Sequence, residues 1–234
     1  MITFYYNPIS PNARRVWLTL LEKGIPFQPV IMKLDGDQFQ PEFQEINPFH
    51  HIPVLVDNGF RVVESLAIMD YLESTYPDPS LLPTNSKDLA TVRMVQLLTS
   101  NELFSEMVVL IYESEVSPLA AQARQKIAKV LDVFSELLGD RPYFGSDQLT
   151  LADIVAGTAV PLLPSLGVDL APYALLDAWM QRVLDRPAWQ TACLSPEQID
   201  QFKRRVKVLV KLRRRQLSQG SQERKGDRVS VAQV

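Results

Sequence analysis

A proline inside an apolar, β-rich run constrains this chain more than any other feature. Pro53 stands in Ile52-Pro-Val-Leu-Val56, and because proline cannot donate to a sheet ladder it implies an edge, a bulge or a cis bond. Asp57-Asn58-Gly59 then predicts a tight hairpin between Val54–Val56 and Phe60–Val63, because Asn-Gly readily takes the positive φ angles such a turn needs. Glu64-Ser65 follows at once, with Ser65 read as the N-cap of a helix beginning at Leu66. A strand that ends at a helix N-terminus, with a carboxylate and a hydroxyl at the junction, makes a corner suited to anions.

The residues before this corner supply the rest of a sheet. Ile2–Tyr6 is β-branched and aromatic, and Asn7-Pro8 ends it. Ser10-Pro11 reads as an N-cap followed by proline at the first helical position, opening a helix that stops at Gly24. Phe27–Met32 is a second strand reached after a helix-length crossover, so it should lie parallel to the first in a right-handed unit. Phe39, Phe43 and Ile46 mark a short amphipathic helix. The order is β-α-β-α-β-β-α over residues 1–76.

Three prolines in Pro77–Pro83 stiffen a linker over 77–85. From 86 to 202 strand signals nearly vanish. Leu89, Val92, Leu97, Leu103, Phe104, Met107, Leu110 and Ile111 recur at helical spacing in a long helix with a bend, and Ile127, Val130, Leu131, Phe134 and Leu138 repeat the pattern up to Gly139. Thr150 and Asp153 form a capping box with Leu149 and Ile154 as its staple, opening a helix from Leu151 to about Leu163 whose role is structural. Tyr173 to Leu184 forms another helix, stopped before Arg186-Pro187. The fold class is therefore an α/β first domain followed by an all-α second domain.

Charge separates a third segment. Residues 1–83 carry 5 Lys/Arg against 10 Asp/Glu, residues 84–202 carry 8 against 15, and residues 203–234 carry 11 against 2. This basic extension has Val206, Leu209, Val210 and Leu212 on one helical stripe, compatible with weak contact to an anionic membrane. Without a recognised nucleic-acid fold beside it, specific nucleic-acid binding is not expected. Residues 218–234, polar and poor in aromatics, are expected to be disordered. The single cysteine, Cys193, excludes an intrachain disulfide and a cysteine-based metal site, and two adjacent histidines make a poor metal cluster, so no metal is expected. The start of the chain shows no charged segment ahead of an apolar one, which fits a cytoplasmic protein.

Four motifs in order, Ser10 after the first strand, Asn47-Pro48 with Ile52–Leu55, Glu64-Ser65 with Ala67-Ile68, and Leu149-Thr-Leu-Ala-Asp153, resemble the cytosolic glutathione S-transferase family over residues 1 to about 200. The first loop looks most like the serine-type classes, theta, beta and delta among them, and Asn47–Pro53 is similar to the insect delta-type version. The resemblance implies a thioredoxin-like first domain with a cis-proline, an all-α second domain (the glutathione transferase fold), glutathione as co-substrate and a homodimer. It implies conjugation of the glutathione thiolate to a small hydrophobic electrophile, as in detoxification, with glutathione-dependent peroxide reduction as a side activity. The alternative is a non-catalytic ligand-binding or assembly protein of the same fold, membrane-directed by the basic tail.

By that resemblance Ser10 would donate a hydrogen bond to the glutathione sulfur, with Tyr6 as its competitor because other classes use a tyrosine near the end of the first strand. Ile52 beside Pro53 would pair with the cysteinyl backbone. Glu64 would accept from the γ-glutamyl ammonium, Ser65 would hold the γ-glutamyl carboxylate, and His50 or His51 would meet the glycyl carboxylate. Ile9, Met107, Ile111 and Tyr112 would line the electrophile pocket. No cysteine stands in the first loop, which argues against the reductase branch of the family.

Overall fold

The computed structural model describes residues 1–230, with the side chains of Arg213 and 216–230 outside the description. Four strands form one mixed sheet in the order β2-β1-β3-β4. β1 (Ile2–Tyr6) lies parallel to β2 (Phe27–Ile31), joined by α1 (Pro11–Glu22), as the crossover length predicts. β3 (Val54–Asp57) runs antiparallel to β1 and to β4 (Phe60–Val63). The hairpin turn between them has positive φ at both Asn58 (48°) and Gly59 (88°), the conformation Asn-Gly was expected to supply.

Strand alternation sorts the first domain into layers. Ile2, Phe4 and Tyr6 are buried on one face against Val16, Leu20, Ile68 and Leu72 of α1 and α3 (Ser65–Thr75). On the other face Tyr5 and Val54 meet Phe43 of α2 (Pro41–Ile46). The Ile52–Pro53 peptide bond is cis, as is Asp78–Pro79, which the sequence did not announce.

The second domain is helical throughout. α4 (Ser86–Leu98) and α5 (Phe104–Tyr112) are one rod whose expected bend is a π-helical turn at Thr99–Leu103. α6 (Pro118–Leu138) packs along α5. α7 (Leu151–Gly157) has every residue buried and opens on the expected capping box. It ends at Gly157 rather than near Leu163, because the ring of Pro161 clashes with the carbonyl four residues back; two 3₁₀ turns, Val160–Leu162 and Pro164–Leu166, follow. α8 (Ala174–Leu184) and α9 (Pro187–Thr191) precede α10 (Pro196–Ser230). The expected disorder over 218–234 meets a backbone that continues α10 to Ser230, and 231–234 lie outside the described residues.

The two domains share a single hydrophobic core, which holds their facing surfaces in register. The proline-rich linker is fastened to the first domain: Lys23 Nζ donates to Glu73 Oε2 (2.7 Å) and to the Pro79 carbonyl (2.6 Å), while Glu73 Oε1 accepts from Ser80 and from the Leu81 N–H. Arg186 grips Glu22 through both Nε (2.9 Å) and Nη2 (2.6 Å), tying α9 to α1.

Candidate functional site

Sheet register brings the sequence motifs to one edge. Val54 pairs with Tyr5 on β1 and with Val63 on β4. The loop after β1, the Ile52–Pro53 bond before β3 and the Glu64-Ser65 junction after β4 therefore emerge side by side. Opposite them stand the π-helical turn, α5 and the first turns of α10, and between the two sides lies a cleft of ≈ 610 Å³. That volume falls within the usual range for small-molecule sites, about 300–1,000 Å³.

Asn7 shapes the first loop. Its Nδ2 donates to the Met32 carbonyl (2.7 Å) and its Oδ1 accepts from the Ile9 N–H (3.0 Å), so the chain turns and delivers Ile9 and Ser10 into the cleft. Ser10 is the N-cap of α1, its Oγ accepting from the Ala13 N–H at 3.3 Å. A hydroxyl that accepts one bond still has its proton to donate.

Tyr6, the competing donor, does not line the cleft. Its ring stacks on Phe4 (4.7 Å between centroids) and leans on Trp17 (5.4 Å), buried on the core face of the sheet, and burial raises its phenol above the usual value of 10.0. The parity of β1 decides this: Tyr6 shares a face with Ile2 and Phe4.

Glu64 and Ser65 both line the cleft. α3 starts at Ser65, one residue earlier than expected, with Glu64 in the N-cap position at a φ of 67° and making no side-chain cap bond. A non-glycine residue held at positive φ at the mouth of a cleft is the kind of strain that collects at functional sites. Ser65 Oγ, not engaged in capping, accepts from Arg15 Nη1 at 3.4 Å.

The histidine loop stands beside the cleft, and neither His50 nor His51, nor Ile52 or Pro53, is among its lining residues. His50 Nδ1 lies 3.1 Å from the Gln38 carbonyl oxygen, and its ring packs 5.2 Å from Phe39. A carbonyl only accepts, so Nδ1 carries the proton and Nε2 becomes a donor only in the imidazolium form. His51 is exposed.

On the helical side the expected apolar set divides. Ile9 lines the cleft; Met107 and Ile111 are 1% and 5% exposed in the core, and Tyr112 lies under the Arg214 guanidinium (4.2 Å from its ring centroid). The cleft is lined instead by Phe104 and Val108, the neighbouring face of α5. The most apolar face of an amphipathic helix packs inward, and the stripe next to it is left for the site. From α10 come Phe202, Arg205, Val206 and Leu209, spaced as one helical face. The Arg205 guanidinium donates to the carbonyls of Lys33 and Leu34, and Lys203 Nζ to that of Ser165 (2.6 Å), so the start of the basic tail lies over the cleft as its cover. Val206 and Leu209, read from the sequence as part of a lipid-facing stripe, face this cleft.

Sequence reasoning missed Arg15 altogether, since a basic residue in a surface-length helix reads as solvated. Arg15 lines the cleft at 1% exposure, donates through Nη1 to Ser100 Oγ (3.0 Å) in the π-helical turn, and lies 5.3 Å from the Phe104 ring centroid. Burial pulls its pKa down to about 10, which leaves it cationic at neutral pH. Among the described residues no cluster of His, Cys, Asp and Glu is arranged to hold a metal ion.

Residues 4–80 match the family model for the glutathione S-transferase N-terminal domain and residues 100–187 that for the glutathione S-transferase C-terminal domain. A glutathione S-transferase of Hyoscyamus muticus is 32% identical over 200 residues, 79% of this chain and 93% of its own. Glutathione S-transferase F7 of Arabidopsis thaliana is 31% identical over 80% of this chain and 96% of its own. The structure of a delta-class glutathione transferase from Nilaparvata lugens superposes with a TM-score of 0.76 at 28% identity, covering 89% of this chain and 99% of the other. With both halves of the fold and nearly the whole length of these relatives matched, the chain belongs to the glutathione S-transferase family.

Proposed function

We propose that this protein conjugates the thiolate of glutathione to a small hydrophobic electrophile, with Ser10 as the residue that stabilises the thiolate. The observation that carries the reading is the placement of the Ser10 hydroxyl: it opens α1 at the cleft, accepts from Ala13 and keeps its own proton, while Tyr6 is packed in the core. A free thiol has a pKa of about 8.5, so at neutral pH most of it is protonated. A hydroxyl donor and the positive end of a helix both favour the sulfur anion and lower that value. The proton leaves to solvent, the sulfur lone pair attacks the electrophilic carbon, and a leaving group departs with its bonding electrons or a double bond accepts them.

In this reading the peptide lies along the edge of the sheet. Ile52 next to cis-Pro53 pairs with the cysteinyl backbone, Glu64 accepts from the γ-glutamyl ammonium, and Ser65 with the amides of α3 receives the γ-glutamyl carboxylate. His50, with Nδ1 held at the Gln38 carbonyl, or His51 from the surface, meets the glycyl carboxylate. The electrophile occupies the half of the cleft formed by Ile9, Phe104, Val108, Phe202 and Val206. A homodimer and a cytoplasmic location belong to the same reading. The lipid contact expected of the tail has less support, because Val206 and Leu209 already face the cleft. Liposome co-sedimentation of the full chain against one ending near residue 202 tests it, with equal sedimentation removing it.

The test is turnover of chlorodinitrobenzene and of an isothiocyanate with glutathione, together with calorimetric titration by glutathione alone. Turnover that falls sharply in Ser10→Ala while glutathione binding survives supports the assignment. Unchanged turnover in Ser10→Ala removes Ser10 from the chemistry, and binding without any turnover across a broad electrophile panel turns the reading to the non-catalytic alternative.

A further inference from the structure

The turn between β2 and α2 is held from two sides. Asp37 accepts the N–H groups of Lys33 (2.6 Å) and Leu34 (2.8 Å), and the Arg205 guanidinium of α10 takes the carbonyls of the same two residues. The peptide unit joining Lys33 to Leu34 thus has its N–H end on an anion and its C=O end on a cation, the alignment its dipole favours. Leu34 depends on such anchoring, because its φ of 58° is a conformation that residues with a side chain rarely adopt unaided. Its side chain packs against the cluster of Met32, Phe43 and Val54 and lines the cleft. On the other side α10 is rooted in the second domain, through Lys203 on the Ser165 carbonyl and through Arg214 on Glu113 (3.1 Å) and on the Tyr112 ring. Arg205 carries the helix across to the first domain.

We infer that Arg205 is a positioning residue that clasps α10 to the Lys33–Leu34 turn and so sets the apolar wall of the cleft, Leu34 on one side and Val206 with Leu209 on the other. This rests on the glutathione reading, in which the wall receives the group carried on the sulfur. The role asks for no contact between Arg205 and that group. Its guanidinium is spent on two backbone carbonyls of the first domain, and what reaches the ligand is the placement of three aliphatic side chains that line the cleft. Without the clasp the turn loses one of its two charged anchors, and α10, still rooted in the second domain, loses this hold on the first. The wall then admits water where an alkyl chain is buried, and burial is what such a chain binds by. The ligand class favoured by the closed wall is a thioether of glutathione with a compact apolar substituent.

Calorimetric titration with glutathione and with S-hexylglutathione tests this in the full-length wild type, Arg205→Met, Arg205→Lys and Asp37→Ala. A fully buried methylene is worth about fourfold in affinity, so a partly buried hexyl chain should give the wild type a preference of about 30- to 300-fold for the thioether. In Arg205→Met that preference should fall by about 10-fold, with Arg205→Lys between, since a lysine is a single point charge where the guanidinium spans two carbonyls. Asp37→Ala should lower it in the same direction. The two losses should not add in the double variant, because both substitutions release one turn. An unchanged preference in Arg205→Met overturns the inference, as does full additivity with Asp37→Ala. Hydrogen exchange of the Lys33 and Leu34 amides in the ligand-free proteins supplies a reading independent of glutathione, with exchange about 10-fold faster expected in Arg205→Met. If the wild type binds neither ligand, exchange decides: faster exchange in Arg205→Met keeps the clasp and discards the glutathione reading, and equal exchange discards both.

Discussion

Asp153 and Arg15 are both buried, both ionisable and both on helices facing the shared core, yet their surroundings are opposites. Around Asp153 every donor has been matched: its carboxylate accepts from the N–H groups of Phe144 (3.0 Å) and Thr150 (2.7 Å), the Trp179 indole (2.8 Å) and the Thr150 hydroxyl (2.8 Å). Around Arg15 two of three guanidinium nitrogens are unmatched. A saturated network fixes α7 against α8 and the 143–150 loop and has no valence left for a ligand. The unsaturated one leaves two buried donors unpaired where the two domains meet. Burial and ionisability do not tell the two residues apart; the completeness of the hydrogen-bond network around each one does.

Removing each group sharpens this contrast. The largest effect expected is on stability: Asp153→Ala strands three buried N–H donors and should cost about 3–5 kcal/mol in urea unfolding, while the folded fraction keeps its affinity for glutathione. Arg15→Met should do the reverse and leave stability unchanged or improved, because it removes an unpaired buried charge from the protein. If Arg15→Met unfolds as readily as Asp153→Ala, the distinction between the two regions breaks. Next in size is Ser10→Ala: loss of the cap should cost about 1 kcal/mol in stability, read from the urea midpoint, separately from its effect on turnover.

The smallest effect concerns pH. Burial outweighs the four hydrogen bonds and pushes Asp153 up to about 6 from its usual 3.8. The folded state then holds a proton that the unfolded chain has released between those values, so this carboxyl's contribution is fully present below about pH 4 and is lost as pH rises through 6. The stability of the wild type relative to Asp153→Asn should therefore grow by about 1 kcal/mol from pH 7 to pH 5. A gap that shrinks on acidification would mean the network holds its charge more firmly than burial opposes it.

These two residues also show what sequence alone can reach. Asp153 was legible because a capping box is a local pattern: Thr150, Asp153, Leu149 and Ile154 lie within six residues, and local hydrogen bonding dictates their roles. The sheet was legible for the same reason, its crossover, Asn-Gly hairpin and Pro53 corner being neighbours in sequence, and from it follows the convergence of Ser10, Glu64 and Ser65. Arg15 was not, because its partners Ser65 and Ser100 lie 50 and 85 residues away, on a second helix and on a π-helical turn that no periodicity announces. On the helical side apolar spacing identified α5, while tertiary packing decides which of its faces meets what: Met107 and Ile111 lie in the core, and Phe104 and Val108 line the cleft. The cover formed by Phe202, Arg205, Val206 and Leu209 was missed because the tail's charge hid its contact with the body.

The central claim is that Ser10, at the start of α1, holds glutathione as its thiolate. Ultraviolet titration of bound glutathione in the wild type and in Ser10→Ala, following thiolate absorbance against pH, tests it most directly. The account predicts a midpoint well below the free thiol's value of about 8.5 in the wild type, returning towards it in Ser10→Ala while the peptide stays bound. The same midpoint in both proteins would contradict it.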